Sequence, residues 1–306
     1  MKEATKRATE QEVQQERVLA TNDLVFKKVF ASPQNSHILT GFINDVLGLE
    51  ATDVSIENTY QPEVFREENK DPEIRYTQVD VLARLEDGRQ VTIEMQVVPQ
   101  RLFRERVFCY AADAYKSNYG KHAQLDKRNR YSKGENKYSA LRPVYSICVM
   151  AENEFLEDDN PIHEFNMYDV KNKIFYRRNE KQDVVTMTFL EIKKTSEEMK
   201  QNIKIWFDFF NKGDVAEDAP NYIKEACVIA SYKNLSKEEA DMISQRQKSI
   251  DLTQAREDYV WYEGFDEGEE KGKAEIIKRL SSNGMSVKEI ETMTKISEKE
   301  IEEMIR

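Results

Sequence analysis

Apolar side chains recur at helical spacing twice near the start of the chain. The first set is Leu24, Phe26, Val29 and Phe30; the second is Ile38, Leu39, Phe42, Ile43, Val46 and Leu47. Residues three and four apart share one face of a helix, so the spacing predicts two amphipathic helices. Thr21-Asn22-Asp23 is a start signal for the first, and Gly48 is placed to end the second. The period then changes to two. DVSIENTY predicts a short strand, and YTQVDVLARL and RQVTIEMQVV predict a hairpin around Asp87-Gly88 that Pro99 closes. RLFRERVFCYAADAYKSNYG predicts a long helix ending at Gly120, and the nearly continuous apolar run RPVYSICVMA suits a strand covered on both faces. The order helix, three strands, helix, strand predicts an α/β fold with a mixed central sheet flanked by helices.

Beyond Ala151 the pattern is weaker. HEFNMYDV and VVTMTFLEI are strand candidates, and Ser196 to Ile250 is mainly helical, including KIWFDFF. The expected division is a polar tail over residues 1–20, an α/β domain over 21–250 and a helical extension over 251–306. In the extension, Gly264, Gly268 and Gly272 either share a helix face open to another helix or form a soft hinge. Ser286-x-x-Glu289 and Ser297-x-x-Glu300 are capping boxes that open two short helices. With Ile277, Leu280, Met285, Ile290, Met293, Ile296, Ile301 and Met304 as its apolar set, this end predicts a small helix-turn-helix-like unit. Its last helix, SEKEIEEMIR, would present carboxylates to phosphates, so protein contact, including homo-oligomer formation, is preferred over base reading.

Composition narrows the function classes. The net charge of −11 argues against a chain that coats nucleic acid indiscriminately. A local footprint remains open, since Arg101 to Arg142 carries eleven Lys/Arg against four Asp/Glu. Cys109, Cys148 and Cys227 are far apart and lack disulfide or zinc spacing, so buried reduced thiols are expected. The charged start lacks an apolar signal core, and no apolar run approaches membrane-spanning length; a cytoplasmic protein without a membrane partner is expected. The three histidines, His37, His122 and His163, have no ligand spacing and are expected at the surface or in caps. No phosphate-binding loop or dinucleotide fingerprint is present.

The hairpin carries the candidate chemistry. Asp80 lies in its first run and Glu94 and Gln96 in its second, and two residues apart on a strand means one face. A two-residue Asp87-Gly88 loop would put Asp80 opposite Met95, on the wrong face. A three-residue loop brings Asp80 opposite Glu94 if it is Glu86-Asp87-Gly88, or opposite Gln96 if it is Asp87-Gly88-Arg89, so an extra loop residue or a bulge is expected. Val81, Ala83, Val91, Ile93, Met95 and Val97 would then pack on the other face. Neighbouring carboxylates in a mostly apolar sheet repel unless a cation lies between them, and oxygen ligands favour Mg²⁺ or Mn²⁺. The plain alternative is a solvent-facing pair that binds nothing.

Asp80 followed by Glu94-x-Gln96 across a hairpin, within this element order, resembles a PD-(D/E)XK nuclease. More narrowly, the chain resembles the recombination-promoting nuclease/transposase family. NDLVFKKVF with ILTGFINDVLGLE resembles that family's opening, and NKDPEIRYTQVDVLARLEDGRQVTIEMQ its central signature. RERVFCYAADAYKS resembles the following helix, and GENKYSALRPVYSICVM the next strand. The likeness extends from about Asn22 to Ala151 and, more loosely, to the glycine-spaced tail. It implies a restriction-endonuclease-like core and Mg²⁺-dependent cleavage of double-stranded DNA, with Asp80, Glu94 and the Met95 carbonyl as metal ligands. Gln96 stands where the wider superfamily usually has Lys; an amide can position a water or a phosphate oxygen but brings no charge. Lys70 and Arg106 are the candidate replacements, Arg106 forming an i, i+4 pair with Tyr110 that matches the family's helix. Asp23 matches an acid before the first aromatic pair and also reads plainly as a helix-start residue. Lys121, Lys127, Arg128, Arg130 and Lys133 are the candidate phosphate contacts, with Tyr131 or Tyr138 as stacking partners. The competing expectation is a nuclease-like fold that binds DNA or protein without cutting.

Overall fold

The computed structural model describes residues 19–58, 79–98, 100–120, 136–179 and 182–305. It divides into two compact units, residues 1–243 and 244–306. The first unit opens with α1 (Asp23–Phe30), whose first turn is capped by the Asn22 side chain accepting from the Leu24 N–H. Helix α2 (Ser36–Leu47) follows. The sheet strands are β1 (Val54–Ile56), β2 (Val81–Leu85), β3 (Gln90–Gln96), β4 (Val144–Met150), β5 (Ile162–Asn166) and β6 (Val185–Glu191). Helix α3 (Phe103–Ser117) joins β3 to β4, and α4 (Gln201–Lys212) and α5 (Asn221–Ala230) follow β6.

The strands form one mixed sheet in the order β1-β2-β3-β4-β6-β5. Its centre is parallel, β3 with β4 and β4 with β6, and both flanks are antiparallel. This is the expected mixed α/β architecture. The two faces divide by strand alternation. Val81, Ala83, Val91, Ile93, Ile147 and Val149 face the larger core with α1, α2, α4 and α5. At its centre Phe30, Phe42 and Trp206 are in ring contact, Phe42 and Trp206 edge to face at 5.0 Å. Asp45 ties three of these helices together, accepting from Trp206 Nε1 at 2.9 Å, Tyr222 Oη at 2.7 Å and Asn202 Nδ2 at 2.7 Å. The α2–α5 approach depends on Gly41, where a Cβ would lie 2.6 Å from the Tyr222 ring. On the other face, α3 packs Phe103, Val107, Ala111 and Ala114 against β4 and β6.

Several expected placements change. Cys109 is exposed, because the inward stripe of α3 runs through Val107 and Ala111 and turns residue 109 outward, whereas Cys148 is buried in β4. Val97 is 40% exposed, since β3 has already ended at Gln96. His163 is drawn into a polar cluster below β5 by Glu191, 3.2 Å from its ring nitrogen, while His37 is a surface residue paired with Glu225. His122 lies outside the described residues.

Helix α6 (Lys237–Ser282) begins in the first unit and continues into the second. It runs unbroken through Gly264, Gly268 and Gly272, with nothing within 4 Å of a Cβ placed on any of them. In the second unit, α7 (Val287–Thr294) and α8 (Glu298–Ile305) pack with the end of α6 around Ile277, Ile290 and Ile301. Both capping boxes form. Met293 is 67% exposed and does not join that core.

Candidate functional site

The hairpin turn determines which side chains meet. Leu85 and Arg89 flank a three-residue loop, Glu86-Asp87-Gly88, with the Gly88 N–H donating to Leu85 O and the Leu85 N–H to Arg89 O, both at 2.9 Å. Gly88 has φ +85°, a conformation costly for other residues, and Asp87 Oδ1 accepts from the Arg89 N–H. The resulting register pairs Val81 with Ile93, so Asp80, one residue before β2, comes opposite Glu94. Of the two three-residue loops the sequence allows, the structure has the one that pairs Asp80 with Glu94. Asp80 accepts from the Met95 N–H at 2.9 Å and donates its own N–H to Glu94 Oε1 at 3.1 Å. The Met95 carbonyl leaves β3 on the same side as its N–H, toward Asp80.

Helix α3 delivers the cation. Leu102 takes a left-handed conformation (φ 62°) at its N-cap and turns the chain back across β3. Arg106 Nη2 then donates to Gln96 Oε1 at 2.6 Å, Arg106 also reaches Gln100 Oε1, and its guanidinium lies 5.1 Å from the Phe103 ring centre. Arg106 Nε is buried without a hydrogen-bond partner among the described residues. The Gln96 amide nitrogen donates to Val98 O, so both ends of the amide are engaged within the protein. Arg106 is thus held beside Gln96 at the carboxylate end of β3.

A second cation comes from α1. Lys27 Nζ lies 3.7 Å from Asp80 and 3.8 Å from Asp23, one turn earlier on the same helix. Reasoning from the sequence missed Lys27. Its signal was the Asp23–Lys27 i, i+4 spacing in NDLVFKKVF, which reads as an ordinary helix pair until the fold sets it against Asp80. Lys70, Lys121, Lys127, Arg128, Arg130, Tyr131 and Lys133 lie outside the described residues. The flanks of the basic segment, Gly120 and Asn136, lie at the other end of α3, roughly 18 Å along the helix from Arg106 at 1.5 Å per residue.

The electrostatics are unbalanced. Burial pushes the Asp80 carboxyl up to about 6, reinforced by Asp23, while Lys27, the Met95 N–H and Arg106 pull against the rise. Burial and then the Asp80 charge push Glu94 well above the usual carboxylate range. Tyr110, one turn after Arg106, is pushed up to about 12 by burial and by Glu94. Cys148, opposite Glu94 on β4, is raised as well. Two cations therefore do not offset the acids gathered here, and another positive charge would lower the energy of the ionised site.

A family model described as PD-(D/E)XK nuclease family transposase matches residues 20–259. The chain belongs to that family. Searches of curated proteins and of solved structures found no match. PD-(D/E)XK nucleases generally use divalent metals and act on DNA. Among the described residues of this family member, no group of three or more His, Cys, Asp or Glu side chains is arranged to hold a metal. The oxygen donors present are the Asp80 and Glu94 carboxylates and the Met95 carbonyl, and their charge deficit fits a hard divalent cation. Among the described residues, no helix is long and apolar enough to cross a membrane.

Proposed function

We propose that this PD-(D/E)XK family member hydrolyses phosphodiester bonds of double-stranded DNA with Mg²⁺ or Mn²⁺, in the setting of recombination or mobile elements. The observation that carries the reading is the meeting of Asp80, Glu94 and the Gln96–Arg106 pair at the open end of the β2–β3 hairpin. Asp80, Glu94 and the Met95 carbonyl would hold the cation, which when bound polarises a phosphate oxygen and acidifies an attacking water. Arg106 supplies positive charge for the phosphate oxygens as negative charge builds on them during attack. Gln96 is a positioning residue: its carbonyl fixes the guanidinium, and its amide is itself anchored on Val98. Lys27 steadies Asp80 from α1 and limits the repulsion between the two ligands.

The test is nicking of a supercoiled plasmid in Mg²⁺ and in EDTA, by the wild type and by Asp80→Ala. Nicking that needs the metal and vanishes in the variant is expected. Equal nicking by the variant would sink the enzyme reading. Absence of nicking by the wild type would assign the fold to binding DNA or protein without cutting.

A further inference from the structure

We propose that the end of the sheet opposite the carboxylates is a second contact surface for the backbone of duplex DNA, centred on Arg142, Arg178 and the ribbon between β5 and β6. The choice of ligand rests on the DNA reading of the family; the surface itself is argued from its own residues. Asn166 at the end of β5 pairs with Thr186, Thr186 with Tyr145, and Tyr145 with Val91. The chain therefore leaves β5 near the N-terminal ends of β3, β4 and β6, whereas Glu94 and Gln96 lie at their C-terminal ends.

Two features meet there. Strands Tyr168–Asp169 and Ile174–Phe175 form a narrow antiparallel ribbon. Its turn is held by Asp169, whose carboxylate accepts from the N–H groups of Lys171 and Asn172 at 3.0 Å and from the Asn172 amide at 2.7 Å. The only acid of the ribbon is thus occupied inside the turn, while Lys171 and Lys173 are exposed and Val170 at the tip is 75% exposed. A two-stranded ribbon of this width fits the major groove, about 12 Å wide.

Directly after the ribbon, Arg178 donates to Leu141 O, the carbonyl that also accepts from Arg142 at 3.0 Å. The guanidiniums are near enough for Arg142, after burial, to lower the Arg178 pKa. Neither has a carboxylate partner among the described residues, and the same holds for Lys137, Lys171 and Lys173. Of the acids nearby, Glu57 is paired with Arg84, Asp87 with Arg89 and Asp183 with Arg177, and Glu86 is held by the Thr52 N–H and hydroxyl. Tyr119 and Tyr138 stand beside Lys137 with rings 5.1 Å apart, and Tyr138 is 67% exposed. In a chain of net charge −11, a run of unmatched cations around two adjacent guanidiniums fits a polyanion with regularly spaced phosphates.

The experiment measures binding of a fluorescent DNA duplex by anisotropy in EDTA, across a salt series. The proteins are the wild type, R142Q/R178Q, K171Q/K173Q and, as a control on α4, Lys212→Gln. Each double variant is expected to bind about tenfold more weakly, with the slope of log affinity against log salt reduced by about 2 for two lost phosphate contacts. Lys212→Gln should bind as the wild type does. The ribbon pair is exposed and outside every core, so its loss of binding at unchanged melting temperature separates contact from folding. Unchanged affinity and slope in K171Q/K173Q and in a folded R142Q/R178Q would overturn the proposal. So would an acidic polypeptide, polyglutamate, competing as well as duplex at equal charge, or no duplex binding by the wild type. Duplex binding lost in these variants by a protein that never nicks plasmid would leave this surface standing and remove only the nuclease reading.

Discussion

Two buried acid groups lie at the same end of one sheet and are treated in opposite ways. Glu191, the last residue of β6, is fully buried, and one of its oxygens accepts from the N–H groups of Glu154 and Phe155. The other oxygen faces Lys194 at 2.5 Å and His163 at 3.2 Å. Burial pushes this carboxyl up, yet Lys194 and the two backbone donors outweigh it and leave it below its usual value. Glu94 is also buried and Asp80 half-buried beside it, but with fewer donors: each has one backbone N–H, they repel each other, and both are raised. The two groups differ in their fixed positive partners, and a pair left short of them is suited to bind a cation from outside.

The largest expected effect lies on the structural side. Glu191→Ala removes the partner of Lys194 and His163 and leaves two N–H groups unpaired, a loss of about 3–5 kcal/mol. Thermal melting should fall by roughly 10 °C, and a shift within a degree or two would show that the cluster is not structural. Asp80→Asn should do the reverse: plasmid nicking falls about 10²–10³-fold, some 3–4 kcal/mol of barrier, while melting in EDTA is unchanged or higher. A drop in melting comparable to that of Glu191→Ala would erase the contrast. Third, Arg106→Lys keeps the charge but loses the planar fork held by Gln96 and Gln100, so kcat should fall about thirtyfold, near 2 kcal/mol, with little change in DNA affinity. Equal rates would remove Arg106 from the chemistry.

The smallest effect is in the pH dependence. Asp80 binds its proton more tightly folded than unfolded, since its pKa rises from 3.8 to about 6. Its contribution to stability is thus complete below pH 3.8 and is lost as pH rises through about 6. Between about pH 5 and 7.5 in EDTA, the wild type should lose about 1.4 kcal/mol relative to Asp80→Asn, measured by urea unfolding. Mg²⁺ should restore most of that loss in the wild type only. Parallel pH profiles would mean that the pair is not strained.

Much of this was legible in local pattern. Alternation placed Glu94 and Gln96 on one face, and the requirement that Asp80 join them already called for an extra turn residue or a bulge, of which the structure has the extra turn residue. Helix α3 was legible as a long helix, but not its inward stripe of Phe103, Val107 and Ala111, which turns the Cys109 expected inside out to the surface. What escaped were pairings between distant segments. Lys27 is 53 positions from Asp80, and nothing in NDLVFKKVF distinguishes it from its neighbour Lys28, which pairs with Glu239 instead. His163 and Glu191 lie in segments whose only signal was β-propensity, and antiparallel pairing of β5 with β6 brings them together.

Helix α3 is fastened to one strand at both ends. Arg106 is bonded to Gln96 at one end of β3, and Asn118, after the last turn, donates to Gln90 Oε1 at 3.0 Å at the other. Twelve helical residues span roughly 18 Å and six strand residues roughly 20 Å, so the two lengths are nearly commensurate. The helix therefore acts as a ruler laid along the strand, with its zero mark at Asn118. One residue inserted between the fastenings would turn Arg106 by about 100° and move it about 1.5 Å, and would misplace the charge without touching any residue of the site.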